Sequence, residues 1–356
     1  MIVLACNAGS TSLKFKLYKM PESTVLATGK VERVGSADDA IFAYRNCESG
    51  FSVSEEGQNI QNYEVGILRF LACLTTGDGA VLSNIEQIER VGYKPVLSRG
   101  HLDVHEMNDE VICGMREFYE LAPVHTGAYL NAVETVSKVL PKATHIGVFE
   151  TSFHKTIPLE RRIYGIPYEW YEKYGIMRMG FHGASHGYIA DALDAEKKEY
   201  RAISCHLGGS GSICAILNGK SVDTSFGMSL ETGLIHANRV GDMDPTMFHY
   251  LQKQGMTDDE IMNGLLKNGG LLGISGVSND LRYVMEAADG GNERAKLAID
   301  VFVCGIAHYI GAFYIDLGGL DYLVFTAGIG EHSPRLRALV CGKLAALGVK
   351  LDPEKN

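Results

Sequence analysis

The stretch Cys205–Ile213 reads CHLGGSGSI and places three glycines and two serines between a histidine and a β-rich run. A glycine-rich turn lets backbone N–H groups converge on an anion, because no Cβ atoms stand in the way. Such a stretch is typical of a flexible loop, of half a dinucleotide fingerprint or of a hairpin that holds phosphate. The spacing argues against the GxGxxG fingerprint, because Cys214 stands where its last glycine is needed. A loop and a phosphate hairpin remain as interpretations.

Two other glycine turns follow β-rich runs elsewhere in the chain. They are Asn7–Ser10 (NAGS), after IVLAC, and Gly328–Gly330 (GIG), at the end of DYLVFTAG. One such turn is more often structural, but three of them, each at the predicted end of a strand, favour phosphate binding. None is a Walker A loop, since Cys214 also stands where the first glycine of that motif would precede Gly219-Lys220-Ser221.

The order of predicted elements repeats in the two halves of the chain. Each half runs from a glycine-turn hairpin into further strands and then into helices. Because 356 residues exceed what one core usually supports, the sequence predicts an α/β protein with two domains, residues 1–150 and 151–356. Helices are predicted near residues 63–74, 109–121, 126–140, 245–254, 258–267, 280–288, 293–317 and 334–347, and further strands near 88–97 and 145–150.

The composition narrows the choice of partners and compartment. A net charge of −10 argues against nucleic acid and against an anionic membrane surface. The apolar run 298–317 contains Asp300, His308 and Asp316, which are costly in lipid, so a buried helix is predicted there rather than a membrane span. The eight cysteines are scattered without a CxxC pair, which is typical of free thiols in a reducing compartment. Since MIVLACNAGS does not read as a signal peptide, we expect a cytoplasmic protein.

Polar side chains that suit phosphoryl transfer cluster in the same regions. That transition state needs cations and donors around its equatorial oxygens and little covalent chemistry from the protein. The candidates are Glu150, His154, His182, His186, His206, Arg239, Asp242, Asp244, Asn279, Asp280 and Arg282. Ser185 and His186 are adjacent, which is a poor arrangement for a nucleophile and its base. His101 and His105 lack the glutamate of a zinc-binding HExxH motif, and Asn279 is predicted to cap a helix.

Five motifs together resemble the acetate kinases, a family of the sugar kinase/Hsp70/actin superfamily. They are NAGSTSLKF, GVFETSFHKTIP, GFHGASH, GLLGISGVSNDLR and FTAGIGEHSP, and the similarity runs along essentially the whole chain. The resemblance implies two actin-like (ribonuclease H-like) domains with a central cleft. It also implies ATP/ADP and Mg²⁺ as cofactors, a small carboxylate as second substrate, direct in-line transfer that yields an acyl phosphate, and a homodimer.

The resemblance also implies roles for individual residues, carried over motif by motif. Asn7 is implied near the metal, and His182 and Arg239 beside the transferred phosphoryl group, with His125 lining the same site. The implied nucleotide-binding residues are His206, Gly208, Gly209, Ser210, Gly211, Asp280, Leu281, Arg282, Gly328, Ile329 and Gly330. The implied substrate and catalytic set consists of Lys94, Glu150, His182 and Arg239, with Val96, Val124, Phe181 and Leu230 around the acyl group.

The chain departs from the family pattern at several of these positions. Lys94 replaces an arginine at the carboxylate, Glu150 an aspartate, Gly209 an asparagine and Leu230 a proline. An acidic metal ligand that family members carry further on does not occur in this sequence, which ends LDPEKN. Because lysine lacks the bidentate fork of arginine, three hypotheses stay open: a kinase for acetate, propionate or butyrate, a kinase for another acceptor, and a catalytically degenerate nucleotide-binding homologue.

Overall fold

The computed structural model describes residues 1–197 and 199–356. These residues form two units, Met1–Ser152 (unit 1) and Phe153–Asn356 (unit 2). The strands of unit 1 are β1 (Ile2–Ala8), β2 (Ser12–Lys19), β3 (Thr24–Glu32), β4 (Ser36–Asn46), β5 (Ser52–Ile60), β6 (Ile88–Tyr93), β7 (Val104–Glu106) and β8 (Thr144–Val148). Its helices are α1 (Tyr63–Thr75), α2 (Asp109–Glu117) and α3 (Pro123–Val139), with 3₁₀ turns at Ile85–Gln87 and Tyr119–Leu121.

The sheet of unit 1 has the strand order β5-β4-β3-β2-β1-β6-β8-β7. Strands β1 to β5 pair antiparallel, whereas β6 lies parallel to β1 and β8 parallel to β6. Strand β2 alternates as a half-buried strand should, with Leu13, Phe15 and Leu17 buried and Lys14 and Lys16 exposed. The buried face forms the core of the unit together with residues of α1 and α3.

Unit 2 contains a four-stranded sheet and most of the helices. Its strands are β9 (Arg201–Leu207), β10 (Gly211–Leu217), β11 (Lys220–Thr224) and β12 (Tyr322–Thr326). Its helices are α4 (Leu159–Arg162), α5 (Tyr168–Tyr174), α6 (Gly183–Glu196), α7 (Thr246–Lys253), α8 (Asp258–Leu266), α9 (Gly270–Ser275), α10 (Leu281–Asp289), α11 (Glu293–Leu317), α12 (Ala327–His332) and α13 (Pro334–Lys343). Further 3₁₀ turns lie at Ser152–Thr156, which begins at the last residue of unit 1, and at Ala345–Leu347.

The sheet of unit 2 repeats the central pattern of unit 1. Its order is β11-β10-β9-β12, in which three strands pair antiparallel and β12 lies parallel to β9. In unit 1 the corresponding order is β3-β2-β1-β6, with the same sequence of orientations. The repeated order of elements predicted from the sequence is therefore confirmed at the level of sheet topology.

The predicted buried helix is α11, which begins and ends at the expected residues. Asn292 caps it by accepting a hydrogen bond from the Ala295 N–H at 3.0 Å, and Gly318 ends it in a left-handed conformation (φ 67°). By length and composition α11 could cross a membrane. However, Phe302, Ile306 and Phe313 on one of its faces belong to the hydrophobic core of unit 2.

Several local predictions are wrong. The stretch Gly328–Gly330 is not a turn at a strand end but part of α12, which directly follows β12. The strand predicted to reach Leu97 ends at Tyr93, and the helix predicted over 109–121 divides into α2 and a 3₁₀ turn. Helix α6 was not predicted. The eight cysteines are free thiols, as expected, and four of them are buried.

Candidate active site

The turn between β9 and β10 is held by backbone hydrogen bonds and is not a flexible loop. The Gly208 N–H donates to the Ser210 carbonyl (3.1 Å), and the Ala237 N–H donates to the Gly209 carbonyl (2.9 Å). The Gly211 N–H donates to Nδ1 of His236 at 3.1 Å. Ser210 Oγ is buried and has no hydrogen-bond partner among the described residues. A fixed turn with an unused hydroxyl is suited to binding a polar ligand group.

A cavity of 590 Å³ in unit 2 brings three of the predicted motifs together. Its lining includes Gly208 and Gly209 of the turn, the segment Asn279–Arg282, and Gly328 and Ile329 of α12. A Cβ atom built on Gly328 would meet nothing within 4 Å, and one on Gly209 would meet only the Ala237 methyl at 3.9 Å. The backbone at both glycines is therefore open for close approach by a ligand.

Sequence reasoning did not assign four further residues of this cavity: Ala237, Met285, His332 and Ser333. Ala237 lies in the loop that bonds to the β9–β10 turn, and Met285 lies one helical turn after Leu281 on α10. His332 and Ser333 end α12. Two signals were available for this set: the spacing of Leu281 and Met285 on one helix face, and the presence of His332 and Ser333 in the motif FTAGIGEHSP.

Helix α10 is capped by Asp280 and not, as predicted, by Asn279. Asp280 Oδ1 accepts the Arg282 N–H at 2.9 Å, and the two side chains form an ion pair at 2.6 Å. The hydrogen bond from the Arg282 side chain lowers the pKa of Asp280. Arg282 is largely exposed, so the pair contributes little to stability. The cap nevertheless fixes both residues at the rim of the cavity.

His182 stands at the N-terminus of α6 in a strained backbone conformation. Its φ is +59°, a left-handed value that is uncommon for a residue with a side chain. Its ring stacks on that of His206 at a centroid distance of 4.0 Å, and its Nδ1 lies 2.8 Å from Ser212 Oγ. His206 Nδ1 in turn lies 2.8 Å from Ser185 Oγ. Two of the predicted site residues, His182 and His206, are thus in direct contact.

Arg239 is the second predicted phosphoryl-binding residue, and it is mostly buried. Its Nη1 donates to the Leu230 carbonyl at 2.7 Å and lies 3.7 Å from Glu231. Burial raises the pKa of Glu231, and Glu231 Oε2 has no hydrogen-bond partner among the described residues. Burial and the nearby Arg239 lower the pKa of His236 to about 3. Sequence reasoning missed Glu231 and His236, which place a carboxyl group of raised pKa and a neutral imidazole ring beside Arg239.

In unit 1, Lys94 and Glu150 form an ion pair with each other. Glu150 is mostly buried, and its second oxygen, Oε2, has no hydrogen-bond partner among the described residues. Its N–H donates to the Pro95 carbonyl at 3.0 Å, which ties the end of the loop after β8 to the residue after Lys94. Asn7 Oδ1 accepts a hydrogen bond from the Tyr129 hydroxyl at 2.7 Å. Lys94 and Glu150, two of the four positions at which the chain departs from the family pattern, are therefore partners.

The four residues predicted around the acyl group have different environments. In unit 1, Val96 is buried and Val124 is 58% exposed on α3, where His125 is exposed as well. In unit 2, Phe181 is fully buried against the edge of Phe226, and Leu230 is half-buried. Their shared role as an acyl pocket stays a prediction.

A family model described as the Acetokinase family matches residues 2–356. The chain belongs to this family. It is 42% identical over 365 residues to the acetate kinase of Dictyoglomus turgidum, covering 100% of this chain and 89% of the relative. It is 41% identical to the acetate kinase of Bacillus subtilis, covering 99% and 90%.

Solved structures of an acetate kinase and of a propionate kinase share the fold. The crystal structure of Porphyromonas gingivalis acetate kinase matches with a TM-score of 0.86 at 35% identity, over 99% of this chain and 90% of that one. A propionate kinase from Francisella tularensis matches with a TM-score of 0.87 at 31% identity, over the same shares. The predicted family and the predicted actin-like α/β fold class are both confirmed.

The acetokinase chain offers oxygen ligands of the kind that Mg²⁺ prefers. Among the described residues no group of three His, Cys, Asp or Glu side chains is arranged to hold a metal by itself. Mg²⁺ seldom needs such a group, because it retains waters and binds one or two carboxylates together with substrate phosphates. The unused Oε2 of Glu150 and the carbonyl oxygen of Asn7 match that donor chemistry.

Proposed function

We propose that this protein transfers the γ-phosphoryl group of ATP to a short-chain carboxylate, with acetate as the preferred acceptor, to give acyl phosphate and ADP reversibly. The proposal that the protein binds ATP rests on the cavity of unit 2, because residues of three separate motifs line it and its glycine backbone is open to a ligand. The carboxylate part is supported by relatives named acetate kinase at 42% and 41% identity.

We assign the nucleotide to the cavity residues. The β9–β10 turn, with Gly208, Gly209, Ser210 and Gly211, would face the phosphates, and Ser210 Oγ would gain a hydrogen-bond partner there. Asp280, Leu281 and Arg282 would contact the adenosine part, with Gly328, Ile329 and Gly330 packed close to the nucleotide. This assignment agrees with the open space at Gly209 and Gly328.

The transfer itself requires positioning and charge stabilisation. A carboxylate oxygen attacks the γ-phosphorus while the bond to the ADP oxygen breaks, so that charge spreads over three equatorial oxygens. Arg239 and His182 would donate hydrogen bonds to those oxygens. Lys94 would bind the carboxylate, and Glu150 would orient Lys94. Mg²⁺, held by Asn7 and Glu150, would neutralise phosphate charge when bound.

The acceptor can be identified by trapping the acyl phosphate as a hydroxamate. The protein is incubated with ATP, Mg²⁺ and acetate, propionate or butyrate in parallel. We expect the highest kcat/KM with acetate. A higher value with propionate would reassign the acceptor, as the similarity to a propionate kinase allows. No product from any acid, together with measurable ATP binding, would favour the degenerate homologue.

We also propose a cytoplasmic homodimer, which is the state that the family resemblance implies. The free thiols agree with a reducing compartment. Sedimentation equilibrium should give twice the chain mass of 38.8 kDa, and a single chain mass would contradict the dimer.

A further inference from the structure

One face of the sheet in unit 2 carries a line of serine hydroxyls under α6. Ser204 in β9 and Ser212 in β10 are both fully buried. The strand register pairs Ser204 with Cys214 and Ser212 with His206. Because directly opposed residues share a face, and alternate residues along a strand do as well, the two serines and His206 lie on the same side of the sheet.

His186 of α6 connects these two serines. Its Nδ1 lies 2.9 Å from Ser204 Oγ and its Nε2 lies 2.8 Å from Ser212 Oγ. The ring is completely buried, and burial keeps the pKa of His186 well below the usual value, so it is neutral and carries one N–H. Ser212 Oγ also lies 2.8 Å from Nδ1 of His182. The result is a continuous chain of hydrogen bonds: Ser204, His186, Ser212, His182.

Each serine has one hydrogen to donate. If His182 and His186 both donated to Ser212, the Ser212 hydrogen would have no acceptor among the described residues, so two directions of hydrogen bonding remain. In the first, Ser204 donates to His186, His186 donates to Ser212, and Ser212 donates to Nδ1 of His182. In the second, every bond is reversed, and the Ser204 hydroxyl must donate elsewhere. Among the described residues Ser204 Oγ has no other hydrogen-bond partner than His186. The second direction would leave a buried hydroxyl hydrogen without an acceptor, which is disfavoured.

We propose that Ser204, His186 and Ser212 act as positioning residues that keep neutral His182 in its Nε2–H tautomer. Since Nδ1 of His182 accepts from Ser212, its hydrogen is carried by Nε2. In that form the ring can donate a hydrogen bond to a phosphoryl oxygen, whereas the opposite tautomer would present a lone pair there. The use of this donor rests on the proposed function, but the tautomer itself does not.

The tautomer can be measured in the ligand-free protein by nitrogen NMR of ¹⁵N-histidine-labelled samples. Spectra are recorded at about pH 8, above the ordinary pKa of an imidazole, and the His182 signals are assigned with a His182→Gln variant. The wild-type protein should show a protonated Nε2 and an unprotonated Nδ1. Ser204→Ala should shift both His182 signals towards a mixture of tautomers, although Ser204 does not touch His182. Unchanged signals in Ser204→Ala, or a protonated Nδ1 in the wild type, would overturn the relay.

Ser225→Ala is the matched control, because Ser225 is equally buried and its hydroxyl oxygen accepts from the Ile213 N–H and bonds to no histidine among the described residues. It should change neither the His182 signals nor the kinetics.

Ser212→Ala should lower kcat about tenfold. This is less than the roughly 10²–10³-fold loss that follows when an oxyanion donor is removed outright. The KM for ATP should stay within about twofold of the wild-type value. An unchanged kcat would contradict the relay. If Ser212→Ala does not fold, the Ser204→Ala spectrum decides. Inactive wild-type protein would refute the proposed function, while the tautomer result would still stand.

Discussion

The pairing of Lys94 with Glu150 joins two departures from the family pattern. The family has an arginine and an aspartate at these positions, so the shorter reach of lysine is matched by a longer acid. The Lys94–Glu150 ion pair therefore retains a cation at the position where the family resemblance implies an arginine. This favours a working carboxylate site over a degenerate one.

Replacing Lys94 tests this role. We expect Lys94→Gln to lower kcat/KM for acetate about 10- to 100-fold, since a hydrogen bond to a charged group contributes about 1.5–3 kcal/mol. The KM for ATP should not change. Hydroxamate trapping at varied acetate and ATP concentrations measures both. Lys142→Gln is the control, because Lys142 forms an exposed ion pair with Glu86 at 2.9 Å in the same unit. Equal effects of the two substitutions would remove Lys94 from the substrate site.

Helix α12 lines the cavity of unit 2, and the proposal that the nucleotide lies against it can be tested with a single methyl group. Gly328 in α12 and Gly342 in α13 are both helical glycines whose added Cβ would meet nothing within 4 Å. Replacing either by alanine should therefore raise stability, by up to about 1 kcal/mol. Only Gly328 lines the cavity.

We expect Gly328→Ala to raise the KM for ATP roughly tenfold, because the added methyl group occupies space at the cavity wall. A tenfold change corresponds to about 1.4 kcal/mol of binding free energy. Gly342→Ala should leave it unchanged. Thermal unfolding and initial-rate kinetics on both variants provide the comparison. If Gly328→Ala binds ATP normally while remaining folded, the nucleotide does not approach the start of α12.

The same elements show what the sequence can and cannot predict. Helix α11 was predicted with correct bounds, and the structure shows Asn292 and Gly318 at its ends as local start and stop signals. Helix α12 was missed because TAGIGEH is poor in helix formers. There the Glu331 side chain reaches back to accept the Ala327 N–H at 3.0 Å, and that contact is visible only in the fold.

The candidate active site also contains some features that the sequence predicts and others that it does not. The glycine turn between β9 and β10 was predicted from its local sequence, because phosphate binding uses open backbone. The roles of Asp280, Arg282 and Gly328 in the cavity are implied by the family resemblance and stay predictions.

The hydrogen-bond partners of His182 and His206 were not predicted from the sequence. Ser212 meets His182, and Ser185 meets His206, through strand register and helix docking. Neither can be derived from distance along the chain, as the adjacent but separately bonded Ser185 and His186 illustrate.

For the whole molecule, the buried histidines of unit 2 make its stability depend on pH. Burial lowers the pKa of His154 to about 4, and burial together with Arg239 lowers that of His236 to about 3. Below pH 6.5 the unfolded chain takes up protons that the folded unit does not, so stability falls as pH falls from 6.5 towards those values. Burial raises the pKa values of Asp223 and Glu231, which acts in the opposite direction, since there the folded unit binds the extra proton.

His154→Gln should make unit 2 less sensitive to acid. His154 lies between Ser221 Oγ and the Phe181 carbonyl, each at 2.9 Å, and the glutamine amide can bond to both without titrating. One histidine with a pKa of about 4 lowers the free energy of unfolding by about 2 kcal/mol between pH 7 and pH 5. Over the same range the free energy of unfolding of the variant should therefore fall by about 2 kcal/mol less than that of the wild type. Urea unfolding can be followed by Trp170, the one tryptophan of the chain, which lies in unit 2. The exposed His249→Gln is the control and should behave as the wild type. The same loss of stability in His154→Gln and wild type would show that His154 protonation does not drive acid unfolding.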